Sequence, residues 1–221
     1  MSDLQYAPDW STLEHLVLDF GGVLYQIDHQ ATASAFAKLG ATDFLEHYAH
    51  GQQSPLLDQI EVGGISEDGF LQALLAQCAP GTSMDDVRTA WSAVLIGLRT
   101  GIVPVLQDLA KHYDLVLFSN TNALHAAHFE RQVLTQHGRA FSDAFRQIIY
   151  SHRLGYRKPN LQAYRAVSQQ FDIRSSRCFF VDDTAINVRA AMEAGWSAAL
   201  HDPHASSLKE WLRQLGCPIW D

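Results

Sequence analysis

The sequence predicts an α/β protein built on a doubly wound parallel sheet, for two reasons. Short apolar runs recur along the chain without alternating with polar residues, as is typical of strands buried on both faces. Amphipathic helical stretches separate these runs, and strands that alternate with helices indicate parallel connections. Five runs predict strands, at residues 15–20, 114–118, 147–150, 177–181 and 196–200.

The helices of this alternating part follow from their apolar faces and their ends. They are predicted over residues 103–112, 160–171 and 185–194. In the first of them, Val105, Leu106 and Leu109 share one face, as expected for a helix packed on a sheet. Gly195 ends the third, because glycine favours the conformation in which helices terminate.

Residues 28–96 interrupt the alternation of strands and helices. Turns that contain glycine and proline divide this segment into four predicted helices, with no convincing strand between them. An insert directly after the first strand would lie over the strand ends, where it can act as a lid. We therefore expect an α/β core of residues 12–27 and 97–221 and a helical cap of residues 28–96. The cap helices are predicted over 31–39, 43–50, 68–78 and 84–95, with Phe44, Phe70 and Trp91 in their apolar core.

Composition and charge narrow the class of protein. The chain has 221 residues and a net charge of −8, and no basic run offsets that charge. Nucleic acids and anionic membranes are therefore not expected as partners, whereas a small phosphorylated molecule can bind at one local cationic site. The three cysteines form no CxxC pair, which suits a reducing cytoplasm. We expect a cytoplasmic protein without signal peptide or membrane span, either a monomer or a homodimer.

Polar side chains follow the predicted strands at the point where each strand ends. Parallel strands present their carboxyl ends at one edge of a sheet, so we expect these side chains to lie together. Aspartate oxygens suit Mg²⁺, and crowded carboxylates need a cation between them. Serine, asparagine and lysine supply the donors and the charge that a phosphate requires. The candidates are Asp19, Ser119, Asn120, Lys158, Asp182 and Asp183.

These clusters resemble the four motifs of the haloacid dehalogenase superfamily, in the family's order and along the whole chain. The motifs are Asp19-Phe20-Gly21-Gly22-Val23, Ser119-Asn120, Lys158-Pro159, and Val181-Asp182-Asp183 through Asn187. The resemblance implies a Rossmann-like core with a helical cap inserted after the first strand. The sequence is most similar to small bacterial sugar-phosphate phosphatases of the α-glucose-1-phosphate phosphatase type. Those share the Ser-Asn-Thr-Asn cluster and a Leu-Gly-x-Arg segment before Lys-Pro, here residues 154–157.

The resemblance implies a role for each matching residue. Asp19 would be the nucleophile that forms an aspartyl-phosphate, and also a magnesium ligand. The carbonyl of Gly21 and the carboxylate of Asp183 would complete the protein's share of the metal site. The implied supporting roles are phosphate binding by Ser119 with the Asn120 amide, neutralisation of Asp19 and phosphate by Lys158, and support of Asp183 by Asp182 and Asn187.

One position departs from the commonest phosphatase pattern of the family. A second aspartate normally stands two residues after the nucleophile as general acid and base, whereas this chain has Gly21. Loss of a positioned general acid typically costs about 10² to 10⁴ in rate. A substitute such as Asp28 or His29, a substrate with a good leaving group, or a weak enzyme would each account for Gly21, and the sequence does not choose among them.

Each candidate also has a structural interpretation. Lys158 could be a surface lysine, and Asp182 or residues 119–122 could simply cap the helices that follow them. His125 and His128 share a helix face, but packing or surface positions are favoured over a metal site because no third ligand has suitable spacing.

Two other functions compete with the phosphatase hypothesis. A 2-haloacid dehalogenase of the same superfamily would use an aspartate on carbon and need no metal, but usually carries serine and asparagine where this chain has Asp182 and Asp183. A non-catalytic phosphometabolite-binding protein would have little use for Asp19 as a nucleophile. Loss of activity in EDTA would favour the phosphatase over the dehalogenase.

Overall fold

The computed structural model describes residues 4, 6–41 and 55–220. Five strands in this part of the chain form a parallel sheet in the order β5-β4-β1-β6-β7, and two more form a separate antiparallel ribbon of β2 and β3. The strands are β1 (His15–Leu18), β2 (Tyr25–Ile27), β3 (Leu95–Leu98), β4 (Asp114–Ser119), β5 (Gln147–Tyr150), β6 (Cys178–Asp182) and β7 (Ser197–Leu200).

The central strand is β1, which pairs in parallel with β4 on one side and with β6 on the other. Val17 lies opposite Val116 and Phe180 in these two ladders. The five predicted strands are those of this sheet, so the α/β fold class is confirmed. The order also places the chain segments that follow β1, β4 and β6 next to one another.

Helices cover both faces of the sheet and make up most of the segment between β2 and β3. The ten α-helices of the described residues are α1 (His29–Lys38), α2 (Pro55–Glu61), α3 (Glu67–Leu75), α4 (Met84–Ser92), α5 (Ile102–Leu109), α6 (Ala123–His137), α7 (Ser151–Leu154), α8 (Leu161–Gln170), α9 (Ala185–Glu193) and α10 (Leu208–Gln214). None of them is long and apolar enough to cross a bilayer. The helix predicted over residues 43–50, and Phe44 with it, lie outside the described residues.

Two apolar layers enclose the sheet, one on each face. Leu16 and Phe179 belong to the layer that contains α5 and α6, whereas Val17, Val116 and Phe180 belong to the layer that contains α8 and α9. Successive residues of a strand point to opposite faces, so each run had to be apolar throughout. The continuous apolar runs in the sequence therefore have their expected cause.

A third apolar cluster lies among helices α1 to α4. Phe36, Phe70 and Trp91 are buried in it, and Leu124 of α6 joins them. The interpretation of Phe70 and Trp91 as residues of an apolar core among these helices is therefore correct. Because Leu124 belongs to a helix that packs on the sheet, these helices rest on the sheet layer at that point.

The prediction that residues 28–96 contain no strand is wrong at its end. The helix predicted over 84–95 ends at Ser92, and Leu95–Leu98 forms β3, which pairs antiparallel with β2. A short apolar run does not distinguish a buried helix from a strand by its period alone. The partner strand lies about 70 residues away along the chain, so no local pattern reveals the pairing.

Candidate active site

The loops after β1, β4 and β6 and the loop before α8 bring together the polar residues predicted from the sequence. Asp19 follows β1 directly, and its backbone N–H donates to the carbonyl of Val181 in β6 at 2.9 Å. Ser119 ends β4, and Asp182 ends β6. Asp19, Ser119 and Asp182 are buried, so they form a buried polar cluster at the carboxyl ends of the strands rather than a polar surface.

Lys158 lies at the centre of this buried polar cluster. Its Nζ donates to Asp19 Oδ1 at 2.5 Å, to Asp182 Oδ2 at 2.7 Å and to the Phe118 carbonyl at 3.0 Å. These bonds use all three donors of an ammonium group. The side chain is only 1% exposed, so the interpretation of Lys158 as a surface lysine is wrong.

The side chain of Asn120 fixes the main chain of Lys158. Its Nδ2 donates to the Lys158 carbonyl at 2.8 Å, and its Oδ1 accepts from the Lys158 N–H at 2.9 Å. The side-chain amide is thus committed to the loop of the lysine. The phosphate contact expected at Asn120 is therefore assigned to its backbone N–H.

Asp182 is held from three directions. Its Oδ1 accepts from the Thr184 backbone N–H at 2.8 Å, and the Asn187 Nδ2 lies 3.2 and 3.1 Å from its two oxygens. With Lys158 on Oδ2, the carboxylate has partners on both oxygens and is fully buried. These contacts join Asp182 to Lys158, Thr184 and Asn187, whereas the support of Asp183 by Asp182 and Asn187 stays a prediction.

Asp19, Asp182 and Asp183 form a cluster of carboxylates. One oxygen from each lies within 4.8 Å of the others, and no other such group of possible metal ligands occurs in the described part of the chain. Burial, with the charges of Asp182 and Asp183, raises the pKa of Asp19 to about 8 against the opposing effect of Lys158. Burial, followed by the charge of Asp182, also raises the pKa of Asp183.

The buried polar cluster carries more negative than positive charge. Burial alone would lower the pKa of Lys158, but Asp182 and Asp19 outweigh burial and raise it, so the ammonium is retained. Three carboxylates then face one ammonium, and desolvation makes their mutual repulsion costly. Hard oxygen ligands in excess of positive charge are what Mg²⁺ binds. The donor set therefore fits the magnesium ion expected from the sequence.

The two glycines after Phe20 have different surroundings. Gly22 has a φ of +84°, and a Cβ built on it would lie 1.8 Å from Asp183 Oδ2. A Cβ on Gly21 would make only ordinary contact with Ile27, at 3.5 Å from Cδ1 and 3.7 Å from Cγ2. The position of Asp183 therefore requires a residue without a side chain at position 22. In the sequence this requirement was visible only as a Gly-Gly pair.

Arg99 is a residue of this region that sequence reasoning missed. Its Nε donates to the Gly22 carbonyl at 2.7 Å and so holds the loop that approaches Asp183. No motif marks it, because it directly follows the ribbon strand β3, which was itself not predicted. Ser119, by contrast, was predicted, and its hydroxyl makes a long 3.4 Å contact to the Asn120 carbonyl. A weak contact of this kind leaves the hydroxyl free to bind a ligand oxygen.

Asp28 and His29, considered as replacements for the missing general acid, lie at the start of α1. The Asp28 carboxylate caps this helix by accepting from Gln30 N at 2.9 Å and from Ala31 N at 3.2 Å. Capping explains the presence of an aspartate here without any catalytic role. A role in proton transfer for Asp28 or His29 stays a prediction.

His125 lies on α6 and packs against α4, and it does not belong to a metal site of the described residues. Its ring stacks on Trp91 with centroids 4.6 Å apart, and its Nε2 donates to the Trp91 carbonyl at 3.0 Å. Its Nδ1 faces the side-chain amide of Asn122, the residue that caps α6. Burial lowers the pKa of His125 to about 4, and His128 is exposed. The packing interpretation is therefore correct for His125, and N-capping holds for Asn122.

Comparisons with known proteins agree with this geometry. The model of the haloacid dehalogenase-like hydrolase family matches residues 13–195. D-ribitol-5-phosphate phosphatase of Bacteroides thetaiotaomicron is 26% identical over 184 residues, which cover 83% of this chain and 89% of that protein.

Solved structures extend the likeness to three dimensions. A haloacid dehalogenase-family enzyme of Bacteroides thetaiotaomicron in complex with magnesium and inorganic phosphate is 26% identical, with a TM-score of 0.75, over 85% of this chain and 93% of that one. L-2-haloacid dehalogenase of Xanthobacter autotrophicus is 18% identical, with a TM-score of 0.59, over 93% of this chain and 83% of that one, a likeness of fold alone.

Proposed function

The chain belongs to the haloacid dehalogenase-like hydrolase family, and we propose that it is a magnesium-dependent phosphatase of small phosphorylated metabolites. The observation that carries the proposal is the cluster of Asp19, Asp182 and Asp183 around the ammonium of Lys158. The relative that acts on D-ribitol 5-phosphate supports a phosphorylated sugar or sugar alcohol as the substrate class.

Asp19 is the proposed nucleophile. One carboxylate oxygen would bond to phosphorus as the bond from phosphorus to the leaving oxygen breaks, and the leaving oxygen would depart with the electron pair and take up a proton. Lys158, at 2.5 Å from Asp19 Oδ1, lowers the pKa of that carboxyl against the effect of burial. Together with bound Mg²⁺ it would favour the ionised carboxylate and offset the charge of the phosphoryl group. Water would then attack phosphorus and release Asp19 with inorganic phosphate.

The remaining residues would bind and orient the phosphoryl group. The Ser119 hydroxyl and the Asn120 backbone N–H are the proposed donors to its oxygens. Asp19 and Asp183, with the Gly21 carbonyl, would hold Mg²⁺, which when bound neutralises charge on the phosphoryl oxygens. Asp182 would support the site indirectly, because Lys158, Thr184 and Asn187 occupy both of its oxygens.

The absence of a side chain at Gly21 shapes the choice of substrate. Without a general acid at that position, the enzyme would favour substrates whose leaving oxygen is already acidic. A sugar 1-phosphate meets this condition, because the ring oxygen acidifies the leaving oxygen. Substrate choice would depend on the helices between residues 28 and 96, which we propose as the cap over the α/β core of residues 12–27 and 97–221.

The carboxylate cluster favours a phosphatase over the alternatives. A dehalogenase that needs no metal would gain nothing from Asp183, whose half-buried charge adds to the repulsion around Asp19. A binding protein without catalysis would not need Asp19 paired to a buried lysine at this distance.

A panel of phosphate esters tests the proposal. Purified protein should release inorganic phosphate from p-nitrophenyl phosphate and from at least one sugar phosphate with added Mg²⁺, and lose this activity in EDTA and in the Asp19→Asn variant. Full activity on a 2-haloacid in EDTA would instead support the dehalogenase. Equal inertness of wild type and Asp19→Asn across the panel would support the binding protein.

A further inference from the structure

Arg157 joins helix α2 to the loop that carries Lys158. Its Nη1 donates to Asp58 Oδ1 at 2.6 Å. Its Nε lies 2.7 Å from Glu61 Oε2, which is an ion pair without hydrogen-bond geometry. Asp58 and Glu61 are three residues apart on α2, so their side chains share one face of the helix. A guanidinium, unlike an ammonium, is rigid and wide enough to engage both carboxylates at once.

The burial of Arg157 distinguishes this contact from the other arginine ion pairs of the described residues. Its side chain is 15% exposed, whereas the arginines in the other pairs are between 47% and 62% exposed. Surface pairs contribute little because water and salt screen them. Here the guanidinium is largely shielded, while the carboxylates of Asp58 and Glu61 are 45% and 26% exposed. Burial also raises the pKa of Glu61 although Arg157 opposes the shift, so this carboxylate depends on its partner.

A second contact attaches the same part of the chain. Gly63 lies two residues after α2, and a Cβ built on it would be 2.5 Å from the carbonyl oxygen of His152 in α7. Its φ of +70° also favours glycine. The segment of residues 151–158 is therefore held by α2 and its following turn at two places, near its start through His152 and near its end through Arg157.

Arg157 is one peptide bond away from Lys158. On the other side, the Asn120 side chain holds the Lys158 main chain, and the ammonium reaches Asp19 and Asp182. We propose that Arg157 is a positioning residue, through which the docking of α2 sets the ammonium of Lys158 against Asp19. The coupling of the two segments stands on the contacts alone, whereas its catalytic consequence rests on the proposed function.

Hydrogen exchange measured by mass spectrometry tests the coupling without any assay of activity. In Arg157→Gln, we expect faster amide exchange both in residues 55–61 and in residues 151–159, with unchanged exchange in β1 and β4. Arg153→Gln is the matched control, because Arg153 lies in the same segment but is exposed and pairs with Glu130 at 3.9 Å. Faster exchange in only one of the two segments, or in neither, would overturn the proposal.

Kinetics on p-nitrophenyl phosphate test the catalytic consequence. Misplacement of Lys158 in Arg157→Gln should lower kcat about tenfold or more with little change in KM, since small displacements in a site can cost up to about 10² in rate. Arg157→Lys, which keeps one charge but not the fork, should recover part of kcat, and Arg153→Gln should match wild type. A kcat of Arg157→Gln equal to that of wild type would overturn the positioning role. If the wild-type protein itself had no activity, the proposed function would be overturned, and the exchange experiment alone would decide the coupling.

Discussion

Two adjacent glycines show how much a single residue contributes to the candidate site. Gly22 has the positive φ that glycine tolerates and lies where any side chain would collide with Asp183. Gly21 has room for a small side chain, because its nearest neighbour is the flexible end of Ile27. Gly22 thus has a steric reason to be glycine, whereas the space around Gly21 gives none.

We therefore expect opposite results from two alanine substitutions. Gly22→Ala should displace Asp183 and weaken Mg²⁺ binding by tenfold or more, since the displaced carboxylate is a proposed ligand. Gly21→Ala should bind Mg²⁺ within about twofold of wild type, because the added methyl group makes only ordinary contact. Isothermal titration with MgCl₂ measures both affinities, and equal affinities in the two variants would show that the approach of Gly22 to Asp183 does not matter.

At the scale of elements, the junction between α4 and α6 depends on a neutral histidine. His125 stacks on Trp91 and donates to its carbonyl, while burial keeps the pKa of the ring near 4 rather than 6.5. Protonation would place an unpaired charge in an apolar contact. The stability of this junction is therefore sensitive to acid. Burial also lowers the pKa of His201 to about 4, so protonation of His201 should destabilise the fold in the same way.

This arrangement predicts acid destabilisation with a defined sign. Between pH 6.5 and 4 the unfolded chain binds a proton at His125 that the folded chain refuses, so the free energy of unfolding falls as pH is lowered through this window. The loss from His125 should be on the order of 3 kcal/mol in the acid limit. Urea unfolding at pH 7.5 and pH 5 measures the part of this loss that has developed by pH 5, about 2 kcal/mol.

His125→Gln should reduce this pH dependence, because glutamine can still donate to the Trp91 carbonyl but does not titrate in this range. The residual slope is assigned to His201 and to other groups. His128→Gln is the control, since His128 is exposed on the same helix. A pH dependence in His125→Gln as steep as in wild type would contradict the assignment.

The elements also show which parts of the fold a sequence can reveal. Each of the five strands of the parallel sheet is apolar throughout because it is buried on both faces, and that pattern is local. The ribbon strand β3 is short, and its partner β2 lies far away in sequence, so its pairing depends on tertiary contacts. The ion pairs of Arg157 with Asp58 and Glu61 were missed for the same reason.

At the scale of the whole molecule, the candidate site concentrates negative charge in a protein that is already negative. The chain has a net charge of −8, and three of its carboxylates lie within 4.8 Å of one another around one lysine. These residues could be predicted because parallel strands end at one edge of the sheet. Their repulsion opposes folding until a cation is bound, so Mg²⁺ should stabilise the folded protein.

Removal of one carboxylate should abolish this stabilisation by metal. In EDTA, Asp183→Asn should melt several degrees above wild type, because burial and Asp182 raise the pKa of Asp183 and its charge is unfavourable in the metal-free protein. With added Mg²⁺, the wild-type Tm should rise and that of Asp183→Asn should not. Differential scanning calorimetry measures all four values, and an equal rise in the two proteins would exclude Asp183 as a ligand. Asp143→Asn, outside the cluster, is the control.

Asp19 is proposed to attack phosphorus, and water is proposed to free Asp19 by attacking phosphorus in the second step. A single turnover in H₂¹⁸O, with enzyme in excess over p-nitrophenyl phosphate and Mg²⁺ present, follows the oxygen of that water. Mass spectrometry should find ¹⁸O in the released phosphate and none in the peptide that contains Asp19. Incorporation of ¹⁸O into Asp19 would mean that water attacks the aspartyl carbon, and phosphate release by Asp19→Asn at the wild-type rate would mean that Asp19 is not the nucleophile.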